Sequence, residues 1–449
     1  LELKRALRVK KPVRLAFTGS GGKTTALFRL ARELPPPVII TATTHLGVEQ
    51  LGKADRHLIL EHPRQLEGWE DELAQGVSAV TGARQPDGRT SVMEGERLEA
   101  LREAAEKLGA SLLIEADGSR QLPLKAPAEH EPPIPVWIEV VVVVAGLSGI
   151  GRPVDGGHVH RAEIFSELTG LAPGEAVTWE ALRRELADPR GGMKNIPSGA
   201  RRVVLLNQAD NAELRGGAHD LAKRLIPPYH AALVGAVGMH GAGLSSEGRP
   251  VYEVIEPAAG IVLAAGGSVR LGQPKQLLAW QGEPLVRRAA RTALESGLSP
   301  VIVVTGAYGE QVAQALEHLP VTIIHNPAWE AGQSTSVRAG LGALPEEIGS
   351  AMFFLSDQPF VTTELVGKIL AAHHRSLAPL VAPRVAGRRA NPVLFDRDAF
   401  AELGTLSGDA GGRSLFERYP AVWVEWDDPS LLEDIDTPED VRRLTGEAG

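Results

Sequence analysis

Between Ile261 and Leu278 the chain reads Ile-Val-Leu-Ala-Ala-Gly-Gly-Ser-Val-Arg-Leu-Gly-Gln-Pro-Lys-Gln-Leu-Leu. The apolar run Ile261 to Ala265 has the pattern of a buried strand, and it breaks into Gly266, Gly267 and Gly272 with Arg270 and Lys275 beside them. Glycines let successive main-chain N–H groups turn toward one anion, while a guanidinium and an ammonium add positive charge. Phosphate binding is the chemistry this predicts; an ordinary strand-to-helix turn with two solvated cations is the alternative. A second apolar run, Ala351 to Leu355, ends in Ser356-Asp357. A carboxylate at the carboxyl end of a central strand, facing a Gly-rich loop, suits Mg2+ on a triphosphate. Asp436 is the candidate second carboxylate, or else the N-cap of the last helix with Pro438 in its first turn.

The N-terminal half carries a second phosphate-binding pattern. Val13 to Phe17 runs into Thr18-Gly19-Ser20-Gly21-Gly22-Lys23-Thr24-Thr25, and Ala26, Leu27, Leu30, Ala31 and Leu34 then fall at helical spacing. Strand, glycine turn, Lys-Thr and helix form the context a P-loop requires. The expectation is that Gly19, Gly21, Gly22 and the helix start with Thr25 hold phosphates, Lys23 bridges their oxygens, and Thr24 coordinates Mg2+. Phe17 stands where the first Gly of G-x-x-x-x-G-K-[ST] would be, so the loop is the shorter Gly-x-x-Gly-Lys-Thr-Thr and resembles that of the Mur ligases. Ser111 to Glu115 is a strand with Asp117 two residues beyond, a spacing that puts both carboxylates on one side. Asp117 and Glu115 read as a Walker-B-like pair, with Asp117 the expected metal ligand, or as a turn acid and a locally partnered one.

Three further stretches stay open. Thr43, Thr44 and His45 end a second strand and would either reach the phosphate site or form a turn. The polar loop Arg120 to Pro132 reads as a lid, a substrate loop or an inert connector, and His158-Val-His160 lacks a third ligand, so zinc is not expected. Arg201 to Leu206 is an apolar strand ending in Asn207-Gln208-Ala209-Asp210, similar to the Asn-Lys-x-Asp element that reads guanine, with Gln in place of Lys; turn formation is the equal alternative.

The elements that position these residues alternate apolar strand and amphipathic helix twice over, predicting an α/β protein of two domains, 1–256 and 257–449, each with a mostly parallel sheet. The chain of 449 residues, with 43% hydrophobic and 23% charged residues, is ordinary for globular domains. A net charge of −9 argues against general nucleic-acid binding. The absence of cysteine excludes disulfides, thiolate metal sites and thiol catalysis. No apolar run approaches membrane-span length, and Leu1 to Lys11 lacks a signal-peptide core, so a cytoplasmic location without membrane attachment is expected.

Leu263-Ala-Ala-Gly266-x-Ser268-x-Arg270-x-Gly272-x-Pro274-Lys275-x-Leu277 resembles the signature loop of Rossmann-like (GT-A-like) nucleotidyltransferases, in particular molybdenum cofactor cytidylyltransferases of the MocA type. The likeness continues in order through Ser336-Val-Arg338, Leu355-Ser-Asp357-Gln-Pro359, Asn391-Pro-Val393 and Asp434-Ile-Asp436-Thr-Pro438. It implies CTP held by Ala264, Ala265, Gly266, Gly267, Ser268 and Gly272, with Ser336 and Arg338 at the base and ribose. It further implies catalysis by Arg270, Lys275 and Asp357, Mg2+ on Asp357 and Asp436, and Mo-molybdopterin as acceptor. A guanylyltransferase, a sugar- or polyol-phosphate cytidylyltransferase and a nucleotide-binding regulatory protein are the competing readings. The glycine loop, Glu115-Ala-Asp-Gly-Ser, Leu122-Pro-Leu-Lys-Ala-Pro-Ala-Glu-His-Glu-Pro, His160-Arg161 and Asn-x-x-Asp resemble the YqeC family, accessory proteins of selenium-dependent molybdenum hydroxylases. That likeness implies ATP or GTP at the P-loop, and a molybdenum hydroxylase or its maturation factors as partner.

Overall fold

The structure is a computed structural model that describes residues 1–238, 249–268, 273–408, 412–435, 437 and 439–440. Arg270, Gly272 and Asp436 therefore lie outside the described residues. The chain forms two compact units, Leu1–Ile255 and Glu256–Gly449.

In the first unit the strands are β1 (Arg14–Gly19), β2 (Val38–Ala42), β3 (Arg56–Ile59), β4 (Val77–Thr81), β5 (Ser111–Glu115), β6 (Leu124–Lys125), β7 (Val140–Gly146), β8 (Val159–His160), β9 (Arg201–Asn207), β10 (Ala231–Gly235) and β11 (Val251–Ile255). Nine of them make one sheet in the order β11-β10-β9-β7-β1-β5-β2-β4-β3. Only β11 runs antiparallel to its neighbour; every other pair is parallel. Helices cover both faces of a parallel sheet, which is why β7, Val-Val-Val-Val-Val-Ala-Gly, is buried at every position. The helix Gly95–Leu108 buries Leu98, Leu101 and Ala105, and stops at Gly109, whose φ of +61° is left-handed. Because β1 sits centrally between β5 and β7, the loops leaving all three open at one sheet edge.

The second unit contains β12 (Ala258–Ala264), β13 (Ala279–Trp280), β14 (Glu283–Pro284), β15 (Val301–Thr305), β16 (Thr322–His325), β17 (Ser350–Leu355), β18 (Leu380–Val385), β19 (Arg388–Arg389), β20 (Val393–Asp396) and β21 (Ala421–Glu425). Its main sheet runs β16-β15-β12-β17-β20-β18-β19, with β21 on β18. Strands β16, β15, β12 and β17 are parallel; β20 inserts antiparallel between β17 and β18. One core, built on Val262, Val303, Phe354 and Leu365, fills one side of the sheet; Ile261, Val304, Phe353 and Phe395 fill the other. The alternation of Ile261 and Val262 between the two cores is the period-two pattern of a strand buried on both faces. Leu263 stands in register with Leu355, so the loops after β12 and β17 leave side by side. The chain is thus α/β in both units. No helix among the described residues is long and apolar enough to cross a membrane.

Candidate functional site

In the second unit the loops after β12 and β17 enclose a pocket of about 390 Å3 lined by Ala265, Gly266, Gly267, Ser268, Lys275, Trp329, Ser336 and Asp357, among others. Lys275 Nζ lies 2.5 Å from Asp357 Oδ2, closing the gap between the glycine loop and the neighbouring strand end. Ala264 is buried at the end of β12, behind the pocket. The loop is pinned from beneath by Gln276, a residue sequence reasoning passed over. Only 2% exposed, Gln276 donates through Nε2 to the carbonyls of Gly266 (3.2 Å) and Ala264 (3.5 Å), and its Oε1 accepts from Ser268 Oγ (3.2 Å). Ser268 Oγ in turn accepts from Lys275 N at 3.0 Å, and Ser268 takes a left-handed φ of +48°. Ser336 is buried, its Oγ accepting from Asn326 Nδ2 at 3.0 Å, on the first turn of the helix Gln333–Gly342.

Arg338 is not brought to this pocket: it is exposed, and its guanidinium donates to the Leu406 carbonyl. Residues three or four apart on a helix share a face, whereas two apart, as Ser336 and Arg338 are, do not. Asp357 carries the end of the chain on its backbone, since Ile435 N donates to Asp357 O at 3.0 Å, and Gln358 Nε2 donates to Asp434 Oδ1 at 2.7 Å. Thr437 Oγ1 accepts from Asp440 N at 3.1 Å.

A second pocket, of about 340 Å3, shares Leu263, Gln333 and Leu355 with the first. Phe353, Phe395 and Phe416 give it an aromatic wall, and Arg389 and Arg413 line it. Arg389 lies 4.6 Å over the Phe416 ring. Burial, then the neighbouring charge of Arg413, pull the Arg389 pKa below its ordinary value. Two cations held together in a half-buried wall are a receptor for an anion.

In the first unit Gly19, Gly21 and Gly22 have φ of +85°, +78° and +121°. A Cβ on Gly21 would stand 2.3 Å from Gly146 Cα, so the close approach of β1's loop to the end of β7 requires glycine there. Among the described residues the amides of Gly21, Gly22, Lys23, Thr24 and Thr25 find no acceptor; the first helical bond is Ala26 N to Gly22 O. Five consecutive free donors at the start of an eleven-residue helix form an anion cradle. Lys23, 3% exposed, donates to Gly19 O at 2.6 Å and lies 3.2 Å from Asp117 Oδ1.

The carboxylate beside Thr24 is Glu115, whose Oε2 accepts from Thr24 Oγ1 at 2.7 Å. Burial raises the Glu115 pKa, against the pull of Lys23 and Thr24. Asp117, expected at the metal, lies beyond the end of β5, and its oxygens are engaged otherwise: by Gly19 N (3.0 Å), Lys23 and Lys125 (2.8 Å). Lys125 continues to Glu131 at 2.7 Å, and Glu131 takes both Arg161 nitrogens at 2.8 and 2.7 Å. Burial alone would raise Glu131; Arg161 and Lys125 outweigh it and hold the carboxyl at about 2. The 120–132 loop is therefore neither lid nor loose connector. Leu124 to Pro127 is buried, and its lysine is the midpoint of an ion chain under the glycine loop. Sequence alone signalled it only as an odd lysine between prolines.

Asn207 is a clamp rather than a base reader: 3% exposed, it donates through Nδ2 to Gly21 O (2.7 Å) and accepts from Val237 N (3.0 Å). His158 turns to Asp155 at 2.8 Å, while His160 sits in β8 with its pKa lowered to about 4 by burial and then by Arg161 and Lys125. Thr43, Thr44, His45, His130 and Glu131 line a separate cleft of about 610 Å3 at the end of β2.

Residues 260–422 match the MobA-like NTP transferase domain, and residues 15–163 match the YqeC protein family. The uncharacterized protein YqeC of Escherichia coli K12 is 34% identical over 211 residues, 45% of this chain and 79% of the relative. Nicotine blue oxidoreductase of Paenarthrobacter nicotinovorans is 36% identical over 197 residues, 41% of this chain and 95% of the relative. The molybdenum cofactor cytidylyltransferase of Escherichia coli K12 is 28% identical over 181 residues, 40% of this chain and 91% of the relative. By its first unit the chain belongs to the YqeC family, and its second unit carries a MobA-like NTP transferase domain, so that it is an enzyme with a nucleotidyltransferase domain.

Proposed function

We propose that the second unit transfers CMP from CTP to the terminal phosphate of Mo-molybdopterin, giving molybdopterin cytosine dinucleotide and pyrophosphate. The observation that carries this is the pairing of pockets: a glycine loop faces Asp357 and Lys275 in one, and an aromatic, Arg-lined pocket adjoins it. A molybdenum cofactor cytidylyltransferase is among the relatives to which the chain is similar, and the MobA-like match falls in this unit. The Leu-Ala-Ala-Gly form of the loop favours cytidylyl over guanylyl transfer by resemblance.

In this reading the amides of residues 265–268 and Lys275 hold the triphosphate, with Arg270 from the same loop. The acceptor's phosphate lies toward Arg389 and Arg413. A phosphate monoester has its second pKa near 6, so the nucleophile is ionised at neutral pH without a base. Its oxygen bonds the α-phosphorus, the bond from that phosphorus to the α–β bridging oxygen breaks, and pyrophosphate leaves with the electron pair. The protein's part is to align the two phosphates and offset charge. Asp357, with Asp436 the expected second carboxylate, is a donor set that fits Mg2+, which favours one or two carboxylates plus substrate phosphates. Bound there, the ion would neutralise the triphosphate and leaving pyrophosphate.

The first unit binds ATP or GTP in its cradle, with Thr24 and Glu115 placed for Mg2+, and serves the same cofactor pathway, alongside a molybdenum hydroxylase or its maturation factors. Pyrophosphate release measured with CTP, GTP, ATP and UTP, each with and without molybdopterin, tests the main reading. Release that requires molybdopterin and prefers CTP supports it. Release with GTP, or with a sugar phosphate in place of the pterin, moves the chain to a competing transferase class; no release with any pair leaves a nucleotide-binding regulator.

A further inference from the structure

Beside the P-loop the backbone does something uncommon. Arg120 and Gln121, consecutive and neither a glycine, have φ of +50° and +63°. Side chains disfavour that region, and two such residues in a row persist only where the surroundings hold them. The surroundings do. Gly118 O accepts from the buried Lys125 Nζ at 2.7 Å on the downstream side. Leu122 N donates to Ser119 O at 3.0 Å, closing the turn. Ser119 Oγ lies 3.3 Å from Lys23 Nζ, so the residue preceding Arg120 touches the lysine of the phosphate cradle. Arg120 is exposed, and among the described residues its guanidinium makes no ion pair or hydrogen bond. It leaves the turn that Lys125 Nζ ties to the ion chain and Ser119 Oγ ties to the cradle.

Among the described residues the cations of the ion chain are committed: Lys23 to Asp117, Lys125 to Asp117 and Glu131, Arg161 to Glu131. The cradle's glycines and helix start account for phosphate binding, and Glu115 with Thr24 for a metal. What that set lacks is a mobile cation for the charge that grows on the outer phosphate as it departs. A guanidinium, always charged and offering a planar fork to phosphate oxygens, supplies that.

We propose that Arg120 is the catalytic arginine of the N-terminal site, a built-in finger that engages the terminal phosphate of a bound nucleoside triphosphate. This rests on the reading of the P-loop as a nucleotide site. In the step it serves, a water oxygen bonds the γ-phosphorus, the bond to the β–γ bridging oxygen breaks, and the electron pair leaves on the β-phosphate. One of the water's two protons stays on the released phosphate and the other passes to solvent, so that triphosphate and water give diphosphate, hydrogen phosphate and a proton. Lys23 and the free amides hold the nucleotide in both ground and transition states; Arg120 acts chiefly in the latter, which gives the test its signature.

The test uses the full chain with Mg2+ and either ATP or GTP, following phosphate release and, separately, the dissociation constants of tri- and diphosphate. Lys23→Ala marks the background from the other unit. Arg120→Ala is expected to lower Lys23-dependent turnover about a thousandfold while triphosphate affinity changes less than about tenfold and diphosphate affinity is unchanged. Arg120→Lys is expected to recover little, because an ammonium lacks the fork. Lys23-dependent turnover by Arg120→Ala within about threefold of wild type overturns the assignment and leaves the nucleotide site standing. Binding of either nucleotide without Lys23-dependent turnover in the wild type overturns Arg120 as a catalytic group while sparing the site. A wild-type chain that binds neither nucleotide removes both.

Discussion

Lys275 Nζ and Asp357 Oδ2 stand 2.5 Å apart, the lysine 30% and the aspartate 15% exposed, the lysine opening the 3-10 turn Lys275–Leu277 and the aspartate two residues past the end of β17. The pair is half open to the pocket that a triphosphate would enter. A bound triphosphate would draw the lysine to its oxygens and free the carboxylate for a metal, so the two residues exchange partners on binding.

Removing either member should therefore affect turnover more than affinity. Lys275→Ala and Asp357→Ala are each expected to reduce pyrophosphate release by about a hundred- to a thousandfold, the range for removing one preorganised charge-stabilising group. Steady-state rates checked against unchanged circular dichroism measure this. Near-normal dinucleotide formation by Asp357→Ala would remove its assigned role.

Gln276 should act on binding instead. Gln276→Leu keeps the size but strips the donor for Gly266 O and the acceptor for Ser268 Oγ. Loss of a buried net of this kind is worth about 1–2 kcal/mol, so the dissociation constant for CTP should rise about tenfold. Calorimetric titration reads it directly. An unchanged constant would mean the loop holds its shape without the glutamine.

The glycine loop of the first unit has its own test. At Gly21 an added Cβ meets main-chain atoms of Gly146 at 2.3 Å and Pro123 O at 2.9 Å, with φ at +78°. Gly21→Ala is expected to destabilise that unit by about 3 kcal/mol, from left-handed strain plus overpacking. Gly118→Ala, with nothing within 4 Å of its Cβ, should stay within about 0.5 kcal/mol. Urea unfolding distinguishes the two; equal effects would contradict the close approach.

Much of this was legible in the residues, and the gaps have a common cause. Runs such as Ile261 to Ala265 and Ala351 to Leu355 announce buried strands, and glycines beside Lys-Thr or Lys-Gln announce phosphate turns, because those signals are local. The ion chain from Lys23 through Lys125 to Arg161 joins residues far apart in sequence, and no periodicity reports a long-range pair. Asn207 resembled a purine reader because a strand-ending Asn looks alike whether it meets a base or the Gly21 carbonyl. Resemblance put Arg338 at the nucleotide together with Ser336, whereas helix geometry turns residues two apart to different sides and the Arg338 guanidinium donates to the Leu406 carbonyl.

Two carboxyls in the first unit predict opposite responses to pH. Glu185, buried, in the helix Trp179–Ala187 and lining a cavity of about 20 Å3 with Asp117 and Lys125, is raised from 4.5 to about 8. The native state keeps a proton there that the unfolded chain has released, so this group's contribution is full below 4.5 and is lost as pH rises through about 8. Glu131, depressed to about 2, contributes fully above 4.5 and loses that contribution as pH falls toward 2. Below 6.5 the lowered His160 also subtracts stability, because the unfolded imidazole takes up a proton first. The window from 6.5 to 8 therefore isolates Glu185 from both. Melting followed across that window should show a falling midpoint for the first unit in the wild type and a flatter one in Glu185→Gln. Parallel slopes in the two proteins would mean the carboxyl is ionised in the native state.

The most direct measurement is a crystal structure of the full chain grown with CTP and Mg2+. The expected result is a triphosphate lying on the 265–268 amides with Lys275 turned onto it and Asp357 facing the metal. Nucleotide bound elsewhere, with the Lys275–Asp357 pair still closed over an empty pocket, would contradict it.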